Sequence, residues 1–194
     1  MNKQTEIIKF YEEYNKLEKI IRTGWLMWKI PDKRLESVSD HTLKVVMLSS
    51  VIIRELNLTD INLTKCLEMA FIHDLGEIKI GDIATLGNET IEAKLTKHEQ
   101  ELKAVTELLS NLSPEVKDHY LSLWLEFEEG TTKEAVFLKQ IDKLDAILKA
   151  HIYENEHHLD GLFEEFYEYS QSQFHTPPLN EFYQNLRETY KIKK

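Results

Sequence analysis

The stretch LTKCLEMAFIHDLGE, residues 63–77, reads as a helix that is apolar along Leu67, Met69, Ala70, Phe71 and Ile72 and then closes on His73 and Asp74. Gly76 is placed to end it or to loosen its last turn. Adjacent helical residues point about 100° apart. At a helix end, His73 and Asp74 can therefore converge on one ion held beside the axis. Glu77 follows His73 by four positions and shares its face if the helical path persists. The plain alternative is a buried His-Asp pair with a Glu turned to solvent.

The same helical grammar extends outward. Upstream, Ser37-Val38-Ser39-Asp40 fits a capping box, so a helix starts near Val38. It continues through Val45, Val46, Leu48, Val51, Ile52 and Leu56 and is apolar on most sides, which predicts a central place in the core. His41 lies in its first turn. A first helix is expected over about Lys3 to Ile21, with Ile7, Ile8, Tyr11, Tyr14, Leu17 and Ile21 near one face, followed by a loop with Gly24 and Pro31.

Downstream, Gly81 and Gly87 mark a loop before a helix from about Glu89 to Ser110, with Ile91, Leu95, Leu102, Val105, Leu109 and Leu112 at heptad-like spacing. Pro114 suits the first turn of another helix, ending near Glu129-Gly130. Thr131 and Glu134 signal a second capping box for a helix through about Ile152. There Asp142 and Asp145 fall among Ala135, Leu138, Ile141, Leu144, Ala146 and Leu148. An aromatic run from Phe163 to Tyr169 and a Pro177-Pro178 break predict one or two C-terminal packing helices.

Six glycines and four prolines in 194 residues favour long helices over strands and turns. We expect an all-α fold, one domain over residues 1–194 with roughly six to eight helices. Its chemical core would cover about 22–150 and its packing helices about 155–190. The formal net charge of -10 disfavours binding to a nucleic acid polymer. A single cysteine, Cys66, excludes an internal disulfide and fits a reducing compartment. The polar start of the chain and the lack of a long apolar run argue against a signal peptide and a membrane span. A cytoplasmic protein is expected.

Each candidate residue has a plain reading. A lone His41 is more often packed than ligating. Asp142, if buried, needs a cation, a donor or water; a metal or a salt bridge with Lys139 or Lys143 would serve. Together, His41, His73, Asp74 and Asp142 form a mixed nitrogen and oxygen set without thiolate. Such a set suits one divalent ion per chain (Mn, Fe, Co, Ni or Mg, or an open Zn site) rather than a closed structural zinc.

The order His…His-Asp…Asp resembles the HD-domain metal-dependent phosphohydrolases, and most closely their 5'-deoxynucleotidase branch. The resemblance rests on RTGW at residues 22–25, RLESVSDH at 34–41, HDLGEIKIGDI at 73–83, KHEQE at 97–101, LWLEFE at 123–128 and KQIDK at 139–143. It implies hydrolysis of deoxyribonucleoside 5'-monophosphates by an all-helical protein, with His41, His73, Asp74 and Asp142 as metal ligands. It implies Glu77 as the acid/base residue for the attacking water and Asp82 as a second catalytic carboxylate. Arg22 and Trp25 fall near the family's phosphate-contacting Arg and sugar-facing Trp. A small nucleotide substrate and a homodimer are implied with them. After Asp82, one bacterial branch has Thr-Pro-x-Lys where this chain reads IATLG at 83–87.

Two alternatives stand beside this reading: hydrolysis of a nucleoside triphosphate or a guanosine alarmone, and a non-catalytic module with a structural metal. Alarmone hydrolases of this superfamily usually carry Asp directly after the motif Glu; here Ile78 follows Glu77. A purely structural site needs neither Glu77 nor Asp82. His98 reads as a packed residue or a substrate contact, and Asp145 as a support of the site or a salt-bridge partner. Cys66, Trp124, Phe127 and the tail aromatics read as core or interface.

Overall fold

The computed structural model of the protein describes residues 2–84 and 90–191. Its helices are α1 (Lys3–Tyr14), α2 (Thr23–Met27), α3 (Val38–Glu55), α4 (Leu63–Ile72), α5 (Glu77–Ile80), α6 (Ile91–Leu109), α7 (Pro114–Glu129), α8 (Lys133–His157), α9 (Glu164–Ser170) and α10 (Pro177–Lys191). Eight of them have seven residues or more, so the architecture is all-α. Gly87 and the expected helix start at Glu89 lie outside the described residues.

The centre of the core is α8. Phe137, Leu138, Ile141, Leu144, Ile147, Ala150 and Tyr153 are all buried along it. Both α3 and α4 pack on α8 and on each other, and α7 packs on α4, α6 and α8. This corrects the expectation that α3 would be central. α3 buries one face through Val38, Val45, Ile52 and Ile53, but Leu43, Met47 and Val51, one turn apart, are exposed on the other. Its packing partners cover one side only, and composition could not say which.

Two further boundaries differ from expectation. α1 ends at Tyr14, and Ile7, Ile8 and Tyr11 are exposed. The chain then tightens into a 3-10 turn, Asn15–Lys19, which turns Leu17 into the core. On α6, Ile91 and Leu95 are exposed, while Ala104, Val105, Leu108 and Leu109 are buried. The heptad-like stripe is therefore used in its C-terminal half.

Capping decides where the site-bearing helices begin. Ser37 Oγ accepts from the Asp40 N–H at 3.1 Å, and Asp40 Oδ2 accepts from the Ser37 N–H at 3.0 Å. A cap of this kind stabilises by about 1 kcal/mol, and here it sets the phase of His41. The cap of α8 is Thr132, not Thr131: its hydroxyl accepts from the Ala135 N–H at 3.3 Å. Glu134 instead accepts the Asn62 N–H at 3.0 Å, tying α8 to the start of α4. Gly130, at φ 64, ends α7 in the left-handed conformation that glycine takes freely.

Gly76 has a different use from the one its position suggests. Its φ is -58, an ordinary helical value. A Cβ there would meet the Glu101 backbone at 3.1 Å, so the glycine admits the close approach of α6. An antiparallel bridge joins Ile21 to Ser37. Through it the Val38 N–H donates to Ile20 O at 2.8 Å and the Arg22 N–H to Glu36 O at 3.0 Å. The Arg22 segment is thereby fastened beside the start of α3. At the other end, Phe163, Tyr167, Phe174 and Tyr183 are core residues, and Pro177 opens α10. No described helix is long and apolar enough to cross a membrane.

Candidate metal and substrate site

His73 follows the last residue of α4. Its Nδ1 lies 2.7 Å from Ala70 O. A carbonyl oxygen only accepts, so Nδ1 carries the proton and Nε2 of the neutral ring carries the lone pair. The Trp124 indole donates to His73 O at 3.2 Å, and Phe127 meets the imidazole edge-on at 5.4 Å. These two α7 aromatics thus hold His73 from behind.

His41 is wholly buried in the first turn of α3. Its Nδ1 lies 2.7 Å from Asp145 Oδ2, which again directs Nε2 away as the free donor atom. Asp142 and Asp145 sit three residues apart on one face of α8 and straddle this imidazole. His41 Nε2 is 3.0 Å from Asp142 Oδ1 and 3.7 Å from Asp74 Oδ2. His73 Nε2 is 3.2 Å from Asp74 Oδ2. Asp142 is half-buried rather than enclosed, with a side chain 32% exposed. Lys139 and Lys143 do not pair with it; they lie over the Phe127 and Phe166 rings.

Ligand atoms of His41, His73 and Asp142 fall within 4.8 Å of one another. Ligands of one ion at about 2.1 Å lie about 3 to 4 Å apart, so this spacing accommodates a cation. His41 Nε2, His73 Nε2, Asp74 Oδ2 and Glu77 Oε2 are buried with no hydrogen-bond partner. Leaving buried polar atoms unsatisfied is costly, and a divalent ion among His41, His73, Asp74 and Asp142 would satisfy the first three at once. The residues fit such an ion.

The charges agree. Burial, reinforced by Asp74 and Asp82, pushes Glu77 up to about 10. Burial works against charge on His41 too, but the Asp142 and Asp145 carboxylates outweigh it and bring the ring up to about 9. Asp74 is held below the ordinary carboxylate range: burial opposes this, but His73, His41 and Arg22 prevail. An acid-rich cluster of this kind favours a dication, which would reverse the balance at both Glu77 and the imidazoles.

Beside these residues opens a cleft of about 640 Å³. It is lined by the charged Arg22, Asp74, Glu77, Asp82, Lys97, Asp142, Lys143 and Glu165 and by the apolar Trp25, Met27, Trp28, Phe166 and Tyr169. Arg22 Nη1 lies 3.6 Å from Asp74 and 3.7 Å from Asp82. Asp82 also accepts the Thr23 N–H, and its backbone oxygen accepts the Thr23 hydroxyl, so it anchors the start of α2. Trp25 reaches the cleft only as a wall. It is 5% exposed and its indole N–H is given to Glu36 at 2.6 Å.

All eight residues singled out from sequence border this centre. His98 does not: it stacks on Trp124 at 5.6 Å and pairs with Glu128 at 3.1 Å. Lys97 and Lys143 lie within the KHEQE and KQIDK stretches but were given no place at the cleft, and Phe166 and Tyr169 were read as core or interface, because only the packing of distant helices brings them to it. Cys66 is core, with burial pushing its thiol up to about 12.

Fold and site together define an all-helical protein whose histidines and aspartates form a cluster able to hold a cation beside a cleft. The chain belongs to the HD-domain family, which matches residues 14–181. It is similar to the 5'-deoxynucleotidase HDDC2 of Homo sapiens, 31% identical over 173 residues, 89% of this chain and 80% of that protein. It is also similar to the protein of the same name from Dictyostelium discoideum, 32% identical over 180 residues, 88% of this chain and 90% of that one. A conserved hypothetical protein from Pyrococcus furiosus has the same fold at TM-score 0.73 and 30% identity, over 93% of this chain and 99% of the other. An HD-domain phosphohydrolase from Listeria innocua shares the fold at TM-score 0.75 and 20% identity, over 97% and 90% of the two chains.

Proposed function

We propose that this protein is a divalent-metal-dependent phosphohydrolase that releases phosphate from (deoxy)ribonucleoside 5'-monophosphates. The observation that carries the reading is the set of buried, unbonded polar atoms on His41, His73, Asp74 and Glu77, of which Asp74 and Glu77 line the cleft. The 5'-deoxynucleotidase relatives support a nucleotide as the substrate.

His41, His73, Asp74 and Asp142 would hold one cation, which when bound neutralises phosphate charge and acidifies water. Arg22 offers a forked guanidinium to the phosphate oxygens. It is held charged: burial opposes this, but Asp74, Asp142, Asp82 and Glu77 prevail. Glu77 takes the proton of the attacking water as the P–O bond to the nucleoside breaks, and the leaving 5' oxygen takes up a proton from water in the cleft. Asp82 keeps Arg22 and α2 in place and faces the leaving oxygen. The nucleoside then lies toward Trp25, Trp28, Phe166 and Tyr169, whose rings exclude water from one side.

Purified protein stripped of metal and reloaded with Mn, Co or Mg should release phosphate from a panel of deoxy and ribo 5'-monophosphates only when loaded. Release from triphosphates or alarmones alone would replace the substrate class. Bound metal with no release from any nucleotide would leave a structural metal and sink the enzymatic reading. A cytoplasmic location and a homodimer go with this proposal. The exposed Leu43, Met47 and Val51 stripe of α3 gives a second copy an apolar surface. Sedimentation equilibrium should return twice the chain mass, and a monomer at micromolar concentration would remove the dimer.

A further inference from the structure

Glu36 is a buried carboxylate for which the chemistry above has no use. It is 4% exposed and lies just before the α3 cap. One carboxylate oxygen accepts the Trp25 indole N–H at 2.6 Å, and the other takes the Lys44 ammonium. Its backbone oxygen accepts the Arg22 N–H at 3.0 Å, and its own N–H donates to the Tyr153 hydroxyl at 3.0 Å. Lys44 lies 3.9 Å from Asp145 Oδ2, and Asp145 in turn holds His41 Nδ1. A carboxylate offers about four lone-pair sites on two oxygens and can serve two partners at once. This one is shared between the wall of the cleft and the support of an imidazole.

We propose that Glu36 is a positioning residue that couples the two halves of the site. Through Trp25 it fixes the nucleoside wall; through Lys44 and Asp145 it aims His41 Nε2 at the cation. Neither Trp25 nor His41 can then shift without disturbing the same buried contact, so substrate grip and metal grip are set together. The substrate arm of this inference rests on the phosphohydrolase reading. The metal arm stands apart from it.

Glu36→Gln keeps the shape but has one acceptor oxygen and an NH2, so either the indole N–H or the ammonium must face a donor. Lys44→Met cuts the metal arm while leaving the Glu36 carboxylate to accept the Trp25 indole N–H, and the melting temperature reports the cost of unpairing Glu36. Metal affinity by titration calorimetry, KM and kcat for a deoxyribonucleoside 5'-monophosphate, and melting temperature are measured for both. Lys44→Met should weaken metal binding about tenfold, as loss of support behind a ligating His does, and raise KM less than Glu36→Gln. Glu36→Gln should weaken metal binding about tenfold and raise KM about fivefold, the effect of one lost hydrogen bond. Lower melting temperatures with wild-type metal affinity and KM in both variants would make Glu36 structural and overturn the proposal. Should the wild-type protein release no phosphate from any nucleotide, the function reading fails, while the metal titration still decides the metal arm.

Discussion

Asp74→Ala is expected to yield a folded, metal-poor protein whose phosphate release falls by at least about a thousandfold, a loss of several kcal/mol of charge stabilisation. Asp74 Oδ2 is the atom on which the centre converges: 3.2 Å from His73 Nε2, 3.7 Å from His41 Nε2 and 3.6 Å from Arg22 Nη1. Alanine removes one of the four proposed ligands and also a carboxylate 3.6 Å from Arg22, the proposed phosphate contact. The side chain is 17% exposed at the cleft, so its loss opens no deep apolar cavity and the fold should persist. Metal content by mass spectrometry and phosphate release report the two effects separately. A variant that retains both stoichiometric metal and wild-type turnover would remove Asp74 from the ligand set.

Glu77→Gln should have the opposite signature, metal retained and kcat reduced by about 10² to 10⁴, the usual contribution of general-base catalysis. The exchange is isosteric, and Glu77 is buried with Oε2 unbonded, so packing changes little. The chemistry changes because an amide cannot receive the proton. Burial and the nearby Asp74 and Asp82 push Glu77 up to about 10 without a cation, which leaves it protonated near neutral pH. A dication beside it favours the carboxylate. Base action is therefore tied to metal loading, and wild-type protein freed of metal should lose activity for two reasons at once. Unchanged kcat in Glu77→Gln, with metal bound, would assign proton transfer elsewhere.

Much of this was legible in the chain because it is local. The Ser37–Asp40 cap is written within four residues, and it places His41 in the first turn of α3. The Pro114 start and Gly130 stop of α7 are equally local. His73, Asp74 and Glu77 are close enough in sequence for helical geometry to relate them. Misreadings arose where a residue's role depends on what lies across from it. Gly76 resembles a helix stop, yet its need is the close approach of Glu101. The apolar stripes of α1 and α6 promised burial that neighbouring helices only partly supply.

Asp145 marks the same divide. From sequence it was a support or a salt-bridge partner, undecided. Only the packing of α3 against α8 sets it 2.7 Å from His41 and opposite Asp142. Phe166 and Tyr169, read as core or interface, line the cleft; α9 is tied to α8 where the Tyr167 hydroxyl donates to Glu154 and Lys143 lies over the Phe166 ring.

By itself, then, the sequence determined the helical class, the cap that phases α3, and the identity of the chemical groups. Those follow from contacts within a turn or two of backbone. The tertiary structure alone decided that α8 is the centre, that both imidazoles turn Nε2 toward Asp74, and that Glu36 bonds both Trp25 and Lys44. These depend on pairs such as Glu36 and Tyr153 or His41 and Asp145, more than a hundred positions apart, and only the packed helices bring such pairs together.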